Sequence, residues 1–169
     1  TYPDDPLLPQ MDEDIRRLQM IAERFSKIGS QPALEPCDVL PVVQSAMDYM
    51  RARTSSKIEY RLLGEEARAM LCAPLFEWVI ENLCKNAIDA MSGNGCITVE
   101  VSDTADKVVV DVTDTGKGIA KSQWDDVFTP GFTTKPRGWG LGLSLAKRIV
   151  EEFHKGRIYI KKSLPGKGT

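Results

Sequence analysis

Hydrophobic and polar positions alternate along several stretches of the chain, and this two-residue period is typical of β-strands with one buried face. The predicted strands are residues 58–63, 67–72, 96–102, 107–113 and 157–162. A turn at Thr104-Ala105-Asp106 joins the third and fourth of these strands into a hairpin. A short extended piece at residues 36–38 precedes them all.

Other stretches repeat apolar residues every three or four positions, which predicts amphipathic helices. These helices cover residues 11–28, 40–52, 73–91 and 141 to about 153. In the third helix Pro74 occupies the first turn, where its missing N–H costs little. Its expected core arc consists of Phe76, Val79, Ile80, Leu83, Ala87 and Ala90. The order of elements predicts an α+β fold, a two-layer sandwich whose mixed sheet is covered on one face by helices.

The first part of the chain has a different character. Residues 1–10 contain three prolines and are expected to form an extended leader. The helix at 11–28 ends at Gly29-Ser30, and it has an apolar stripe that needs a partner. Packing on the main domain and pairing with another chain remain equal alternatives.

Composition narrows the class of protein. A chain of 169 residues with a net charge of −2 has room for one sizeable core and lacks the basic face expected of a nucleic-acid binder. The four cysteines are scattered and indicate buried thiols in a reducing compartment. The sequence shows no membrane-spanning run and no signal peptide, so we expect no membrane contact from this piece.

Two glycine clusters suggest where a ligand binds. Gly116 and Gly118 follow a predicted strand, and Gly138, Gly140 and Gly142 open a predicted helix. Glycines at the start of a helix leave backbone N–H groups accessible, which suits a phosphate. Asp114, at the end of the strand, is placed to direct a carboxylate at the same ligand. Either cluster alone is better explained as a surface turn, but together they favour a nucleotide site.

Two common phosphate-binding motifs are excluded. A P-loop requires G-x-x-x-x-G-K-[ST], which is absent from the sequence. A Rossmann turn requires G-x-G-x-x-G followed by an acidic residue. Here the third position after Gly118 is Lys121, and the acidic residue Asp114 precedes the glycines.

The helix at 73–91 carries three polar residues beside its core arc. Asn82, Asn86 and Asp89 lie within about 60° of one another on a helical projection. They could form a solvated edge that ends in a cap. The functional alternative is that their oxygens hold Mg²⁺ together with phosphate oxygens.

Four motifs in order now identify a resemblance. ENLCKNAIDAM resembles the N-box of sensor histidine kinases, DTGKGI their G1 box, VFTPGFTTK their F-box and GWGLGLSLAKRIVEEF their G2 box. The chain therefore resembles the catalytic ATP-binding domain of a two-component histidine kinase of the GHKL superfamily, with a Bergerat-type fold. The helix at 11–28 is similar to the second helix of the dimerisation and phosphoacceptor hairpin. This divides the chain into residues 1–32 and 33–169.

The resemblance implies a role for each matching residue. Asp114 would accept a hydrogen bond from the adenine amino group, and Asn86 would coordinate Mg²⁺. Lys135 would reach the phosphates of ATP. Other residues implied in nucleotide binding are Asp89, Gly116, Gly118, Phe128, Thr133, Thr134, Gly138, Gly140, Leu141 and Gly142. Phe128 and Phe132 belong to a mobile lid at residues 120–137, and Trp139 departs from the family's usual small residue.

One position separates the kinases from the ATPases of the superfamily. The ATPases carry a water-activating glutamate four residues before the metal asparagine, where this chain has Asn82, an amide that cannot act as a base. Glu81 lies about 140° from Asn86 around the helix and cannot readily substitute. The resemblance therefore implies transfer of the γ-phosphate to a histidine, with Asn82, Asn86 and Lys135 as catalytic residues. The alternatives are an ATP-binding regulatory module and a GHKL-type ATPase.

The family also implies partners that this sequence does not itself contain. They are a dimerisation hairpin with its acceptor histidine, a response regulator and, in the full-length protein, a second copy. His154 is the single histidine and is interpreted as structural. We expect this chain to be the cytoplasmic portion of a longer, membrane-bound sensor.

Overall fold

The computed structural model describes residues 32–135 and 138–169. Residues 34–169 form one compact unit. The predicted leader and the helix at 11–28 lie outside the described residues, as does Arg137 at the end of the predicted lid. No helix in the part described is both long enough and apolar enough to span a bilayer.

The described chain contains five strands and three α-helices. The strands are β1 (Glu35–Asp38), β2 (Ile58–Gly64), β3 (Arg68–Leu71), β4 (Gly95–Thr104) and β5 (Lys107–Asp114). The helices are α1 (Val39–Arg51), α2 (Ala73–Ala90) and α3 (Gly142–Arg148), and a π-helical turn, Ile149–Phe153, continues α3. Two 3₁₀ turns, Lys121–Gln123 and Asp126–Phe128, lie between β5 and α3.

The strands form two sheets. Strand β4 lies at the centre of the larger sheet, parallel to β2 and antiparallel to β5. Strands β1 and β3 form a separate antiparallel pair. The predicted strands at 58–63, 67–72, 96–102 and 107–113 are confirmed within one or two residues, and so is the mixed α+β architecture.

The hydrophobic core lies between the larger sheet and the helices α1 and α2. Alternate residues of β4, Ile97, Val99 and Val101, are at most 1% exposed and meet the buried faces of both helices. Met47 of α1 and Ile80 of α2 are equally buried. Full burial of such side chains stabilises a fold by about 1.5–3 kcal/mol each, so this cluster fixes how α2 lies on the sheet.

The buried arc of α2 differs from the predicted one. Leu75 and Cys84 are buried in addition to Val79, Ile80 and Ala87, whereas Leu83 and Ala90 are only half-buried. The helix packs on α1 as well as on the sheet, which rotates its buried arc toward Cys84. Ala90 is left to face a loop that follows β5.

The prediction of a strand at residues 157–162 is wrong. Ile158 and Ile160 are half-buried and Tyr159 is exposed, so the alternation of sides is present. The segment is nevertheless not assigned to either sheet. It contacts β5 through the Lys161 ammonium, 2.6 Å from Asp111 Oδ2. Alternation determines which side chains are buried, but a strand also requires a regular ladder of backbone hydrogen bonds.

Candidate functional site

Helix α2 is the platform on which the site is assembled. Along one side of the helix, Asn82 contacts the start of α3, Asn86 and Asp89 contact Lys135 of the predicted lid, and Ala90 contacts the loop after β5. From residue 82 to residue 90 the helix rises about 12 Å. Three segments that are distant in sequence therefore meet in series along α2.

Asn82 is oriented toward the start of α3. Its Nδ2 donates to the carbonyl oxygen of Trp78, one turn earlier, at 3.0 Å. The amide oxygen faces Gly142 so closely that a Cβ at position 142 would lie 2.9 Å from it. Position 142 therefore has to be glycine, or the amide of Asn82 has to move.

The start of α3 presents backbone donors beside Asn82. The first N–H groups of a helix have no acceptor within the helix, and those of Gly142 and the following residues belong to this class. The preceding Leu141 carbonyl accepts from the Ser144 hydroxyl at 3.0 Å. Trp139, between Gly138 and Gly140, is 56% exposed. The predicted phosphate cradle is thus adjacent to the asparagine face of α2.

One turn along α2, two oxygens converge on a single cation. Lys135 Nζ donates to Asn86 Oδ1 at 3.1 Å and forms an ion pair with Asp89 Oδ2. Magnesium in nucleotide sites is usually held by one or two protein oxygens, with the rest of its ligands from phosphates and water. An amide oxygen and a carboxylate that already share a cation fit that role.

The third part of the site is the loop that follows β5. Lys117 N donates to the Ala90 carbonyl at 3.0 Å, which fastens the loop to the end of α2. Gly116 approaches Ala90 so closely that an added Cβ would lie 2.8 Å from Ala90 backbone atoms. A side chain at position 116 would push this loop away from α2.

Asp114 is held at the entrance to this loop. Its Oδ1 accepts from Gly116 N at 2.6 Å, and its own N–H donates to the Thr169 carbonyl at 2.9 Å. Burial raises the pKa of the Asp114 carboxyl above its usual value, while the hydrogen bond from Gly116 opposes the shift. A partly desolvated carboxylate is a strong acceptor for a ligand N–H.

The lid is tied to the second glycine cluster. Gly131 N donates to the Gly140 carbonyl at 3.1 Å, and Gly138 N donates to the Lys135 carbonyl at 3.3 Å. Thr133 Oγ1 accepts from Lys135 N at 3.1 Å, and Thr134 is exposed beside it. Of the predicted residues, Gly138 is therefore brought next to Lys135, and Gly140 next to Gly131 and Phe132.

Phe128 lies against a different part of the molecule. Its ring is 5.7 Å from Lys147 Nζ, and it borders a groove of about 360 Å³. The other groove residues include Trp124, Glu151, Arg157 and Tyr159. In this structure Phe128 thus contacts the side of α3, and its role toward a nucleotide stays a prediction.

Two supporting residues were not predicted from the sequence. Ser163 Oγ is buried and accepts from Ile119 N at 2.7 Å, which anchors the loop that contains Gly118. Thr115 Oγ1 accepts from Cys96 N at 3.0 Å. No local pattern marks either residue, because their partners are 44 and 19 positions away.

Comparison with known proteins agrees with this geometry. The family model described as histidine kinase-, DNA gyrase B-, and HSP90-like ATPase matches residues 73–169, more than half of the chain. The chain belongs to this family. The matched range contains α2, both glycine clusters and the lid, so the resemblance expected from the four motifs is confirmed.

Two curated relatives and one solved structure illustrate the similarity. The sensor histidine kinase ZraS of Salmonella typhi is 50% identical over 92 residues, covering 54% of this chain and 19% of the relative. The alginate biosynthesis sensor protein KinB of Pseudomonas aeruginosa is 33% identical over 174 residues, covering 96% of this chain and 29% of the relative. The nucleotide-free catalytic domain of histidine kinase ThkA has a TM-score of 0.69 at 26% identity, over 79% of this chain and 95% of that domain.

The chain spans less than a third of the length of these two relatives. The similarity to the ThkA domain confirms the two-layer α+β fold.

Proposed function

We propose that residues 33–169 form the catalytic domain of a two-component sensor kinase, which binds Mg–ATP and transfers the γ-phosphate to a histidine. The observation that carries this proposal is the series of contacts along α2. An elongated ligand with a base at one end and phosphates at the other matches a site with Asp114 and Gly116 near Ala90, and Gly142 near Asn82.

Each end of the site has the chemistry that its part of the ligand requires. Asp114 supplies an acceptor for the adenine amino group, and Gly116 and Gly118 let the loop beside it pack closely against Ala90 and Leu164. Lys135 and the N–H groups around Gly140, Leu141 and Gly142 supply positive charge and donors for the phosphates. The phosphates would also lie close to Asp89, Thr133, Thr134 and Gly138.

Asn86, with Asp89 beside it, would hold the magnesium ion. When bound, Mg²⁺ neutralises phosphate charge and fixes the phosphate geometry. Phosphoryl transfer depends mainly on positioning and charge neutralisation, so the residues named above can support it without a protein base.

Asn82 decides between transfer and hydrolysis. Its side-chain amide is fixed by the Trp78 carbonyl and has no basic group to activate water. The acceptor is therefore a histidine on the dimerisation hairpin, whose second helix we assign to residues 11–28, within the unit 1–32. In the whole protein we infer a homodimer on the cytoplasmic side of a membrane and phosphotransfer to a response regulator.

Radiolabelled ATP tests the reaction. The chain is mixed with a dimerisation hairpin that carries an acceptor histidine, and labelled phosphate is followed on the protein and in solution. We expect acid-labile label on the hairpin and little free phosphate. Steady release of phosphate without labelled hairpin would place the chain among the ATPases. ATP binding with neither labelled hairpin nor free phosphate would indicate that the chain is an ATP-binding regulatory module.

Asn86→Ala tests the metal assignment separately. The parent should bind a non-hydrolysable ATP analogue more tightly with Mg²⁺ than without it, and the variant should lose that difference while still binding adenosine. Asn94→Ala is the matched control, because Asn94 is an exposed asparagine just beyond the end of α2. If calorimetric magnesium titrations of all three proteins superimpose, Asn86 is not a metal ligand.

A further inference from the structure

The ammonium of Lys135 occupies the place that the proposed function gives to a metal ion. Its Nζ lies 3.1 Å from Asn86 Oδ1 and is paired with Asp89 Oδ2. Asn86 and Asp89 are three residues apart on α2, so their side chains lie on the same side of the helix. Both the Lys135 and Asp89 side chains are about two-fifths exposed, so ions from solvent can reach them.

We propose that, in the nucleotide-free chain, the Lys135 ammonium occupies the position of the metal ion beside Asn86 and Asp89. The same contacts hold the lid against α2. This inference rests on the proposed function, because it takes Asn86 as the magnesium ligand. It adds an order of events. Lys135 would weaken binding of a metal ion that arrives alone, and would leave Asn86 and Asp89 when a metal ion arrives together with the nucleotide.

The order follows from electrostatics. An ammonium and a divalent cation cannot both approach Asn86 Oδ1 and Asp89 Oδ2 closely, because like charges at such distances repel. Free Mg²⁺ or Mn²⁺ has to compete with Lys135 for the same oxygens. A metal bound to ATP arrives with several negative charges, which attract the displaced ammonium and so compensate for the lost ion pair.

The exchange is coupled to the lid because Lys135 is joined to its neighbours through the backbone. Lys135 N donates to Thr133 Oγ1, and the Lys135 carbonyl accepts from Gly138 N. A movement of the Lys135 side chain away from α2 therefore loosens the segment that carries the second glycine cluster. The same movement frees the ammonium to bind phosphate.

The first experiment measures Mn²⁺ binding without nucleotide, by electron paramagnetic resonance of free Mn²⁺. Lys135→Met keeps much of the side-chain length but removes the charge, and it should bind Mn²⁺ about tenfold more tightly than the parent. Lys135→Arg, which keeps the charge, should resemble the parent. Lys121→Met is the charge-matched control, since Lys121 is an exposed lid residue outside the site, and it should also resemble the parent. Adding Asn86→Ala to Lys135→Met should abolish the increase in Mn²⁺ affinity.

The second experiment measures how firmly Lys135 holds the lid against α2, by hydrogen exchange of residues 129–135 without nucleotide. Exchange should be faster in Lys135→Met than in the parent and in Lys121→Met. Unchanged Mn²⁺ affinity, a gain that survives Asn86→Ala, or unchanged exchange would each overturn the inference. Failure of the parent to bind an ATP analogue with Mg²⁺ would instead overturn the proposed function, so the two failures are distinguishable.

Discussion

The amide oxygen of Asn82 on α2 lies directly against Gly142, the first residue of α3. A Cβ at position 142 would be 2.9 Å from Asn82 Oδ1, closer than such atoms normally approach. The two residues are sixty positions apart in sequence. Their contact sets the distance between the asparagine face and the donors at the start of α3.

Gly142→Ala should therefore weaken binding of an ATP analogue by about three- to tenfold, equivalent to about 0.7–1.4 kcal/mol. The added methyl group displaces either the Asn82 amide or the start of α3. The double variant Asn82→Ala/Gly142→Ala removes the clash, so calorimetry should show a coupling between the two substitutions. Strictly additive effects would mean that this contact does not position the phosphate donors.

Asp114→Asn should weaken binding of adenine nucleotides by one to two powers of ten, about 1.4–2.8 kcal/mol. The amide keeps an oxygen that can accept from Gly116 N, so the loop is retained while the acceptor for the adenine amino group is impaired. Calorimetry with ADP measures the effect. Equal affinities of parent and variant would rule out the adenine role of Asp114.

The same pair of proteins tests the direction of the Asp114 pKa shift. Burial raises the pKa of this carboxyl in the folded state, so the folded protein binds its proton more tightly than the unfolded chain. The free energy of unfolding of the parent, relative to Asp114→Asn, should then be highest below the unfolded pKa of about 4 and fall as pH rises through the folded pKa. Urea unfolding from pH 3 to 7 provides the comparison. A relative stability that rises with pH would contradict the shift.

Cys84 should resist thiol reagents in the folded protein. It is fully buried, and burial raises the pKa of its thiol to about 12 from an ordinary value of 9.0. A difference of three pKa units leaves about a thousandfold less thiolate at neutral pH, and the thiolate is the reactive form. Mass spectrometry after brief alkylation at pH 8 should find label on the half-buried Cys37, Cys72 and Cys96 before Cys84. Early labelling of Cys84 would contradict its place in the core.

His154 should stabilise the junction between β3 and α2. Its Nε2 accepts from Cys72 N at 3.1 Å, which leaves the proton on Nδ1 to donate to the Ile149 carbonyl at 2.9 Å. His154→Ala leaves both backbone groups without this partner and removes an edge contact with Phe76, so we expect a loss of about 2–4 kcal/mol. Urea unfolding measures this loss of stability. Arg157→Ala is the control, because Arg157 is exposed. Equal stability of the two variants would show that the ring is dispensable.

The sequence alone determined the identity of most elements and the residue types of the site. Strand alternation in β2, β4 and β5 and the helical period of α1 and α2 are local properties, because each depends on which side of a single element is buried. The glycine clusters and the asparagine face of α2 were also visible, since their chemistry is unusual for solvent-exposed segments.

Only the tertiary structure decided which of these residues meet. Lys135 reaches Asn86 across 49 positions, and Ser163 anchors Ile119 across 44. Residues 157–162 show strand alternation but form no ladder, and Phe128 lies against Lys147 of α3. Such contacts depend on the path of the whole chain, because the partner of a lysine or a hydroxyl is set by packing between elements. Local pattern fixes only the side of an element on which a residue lies.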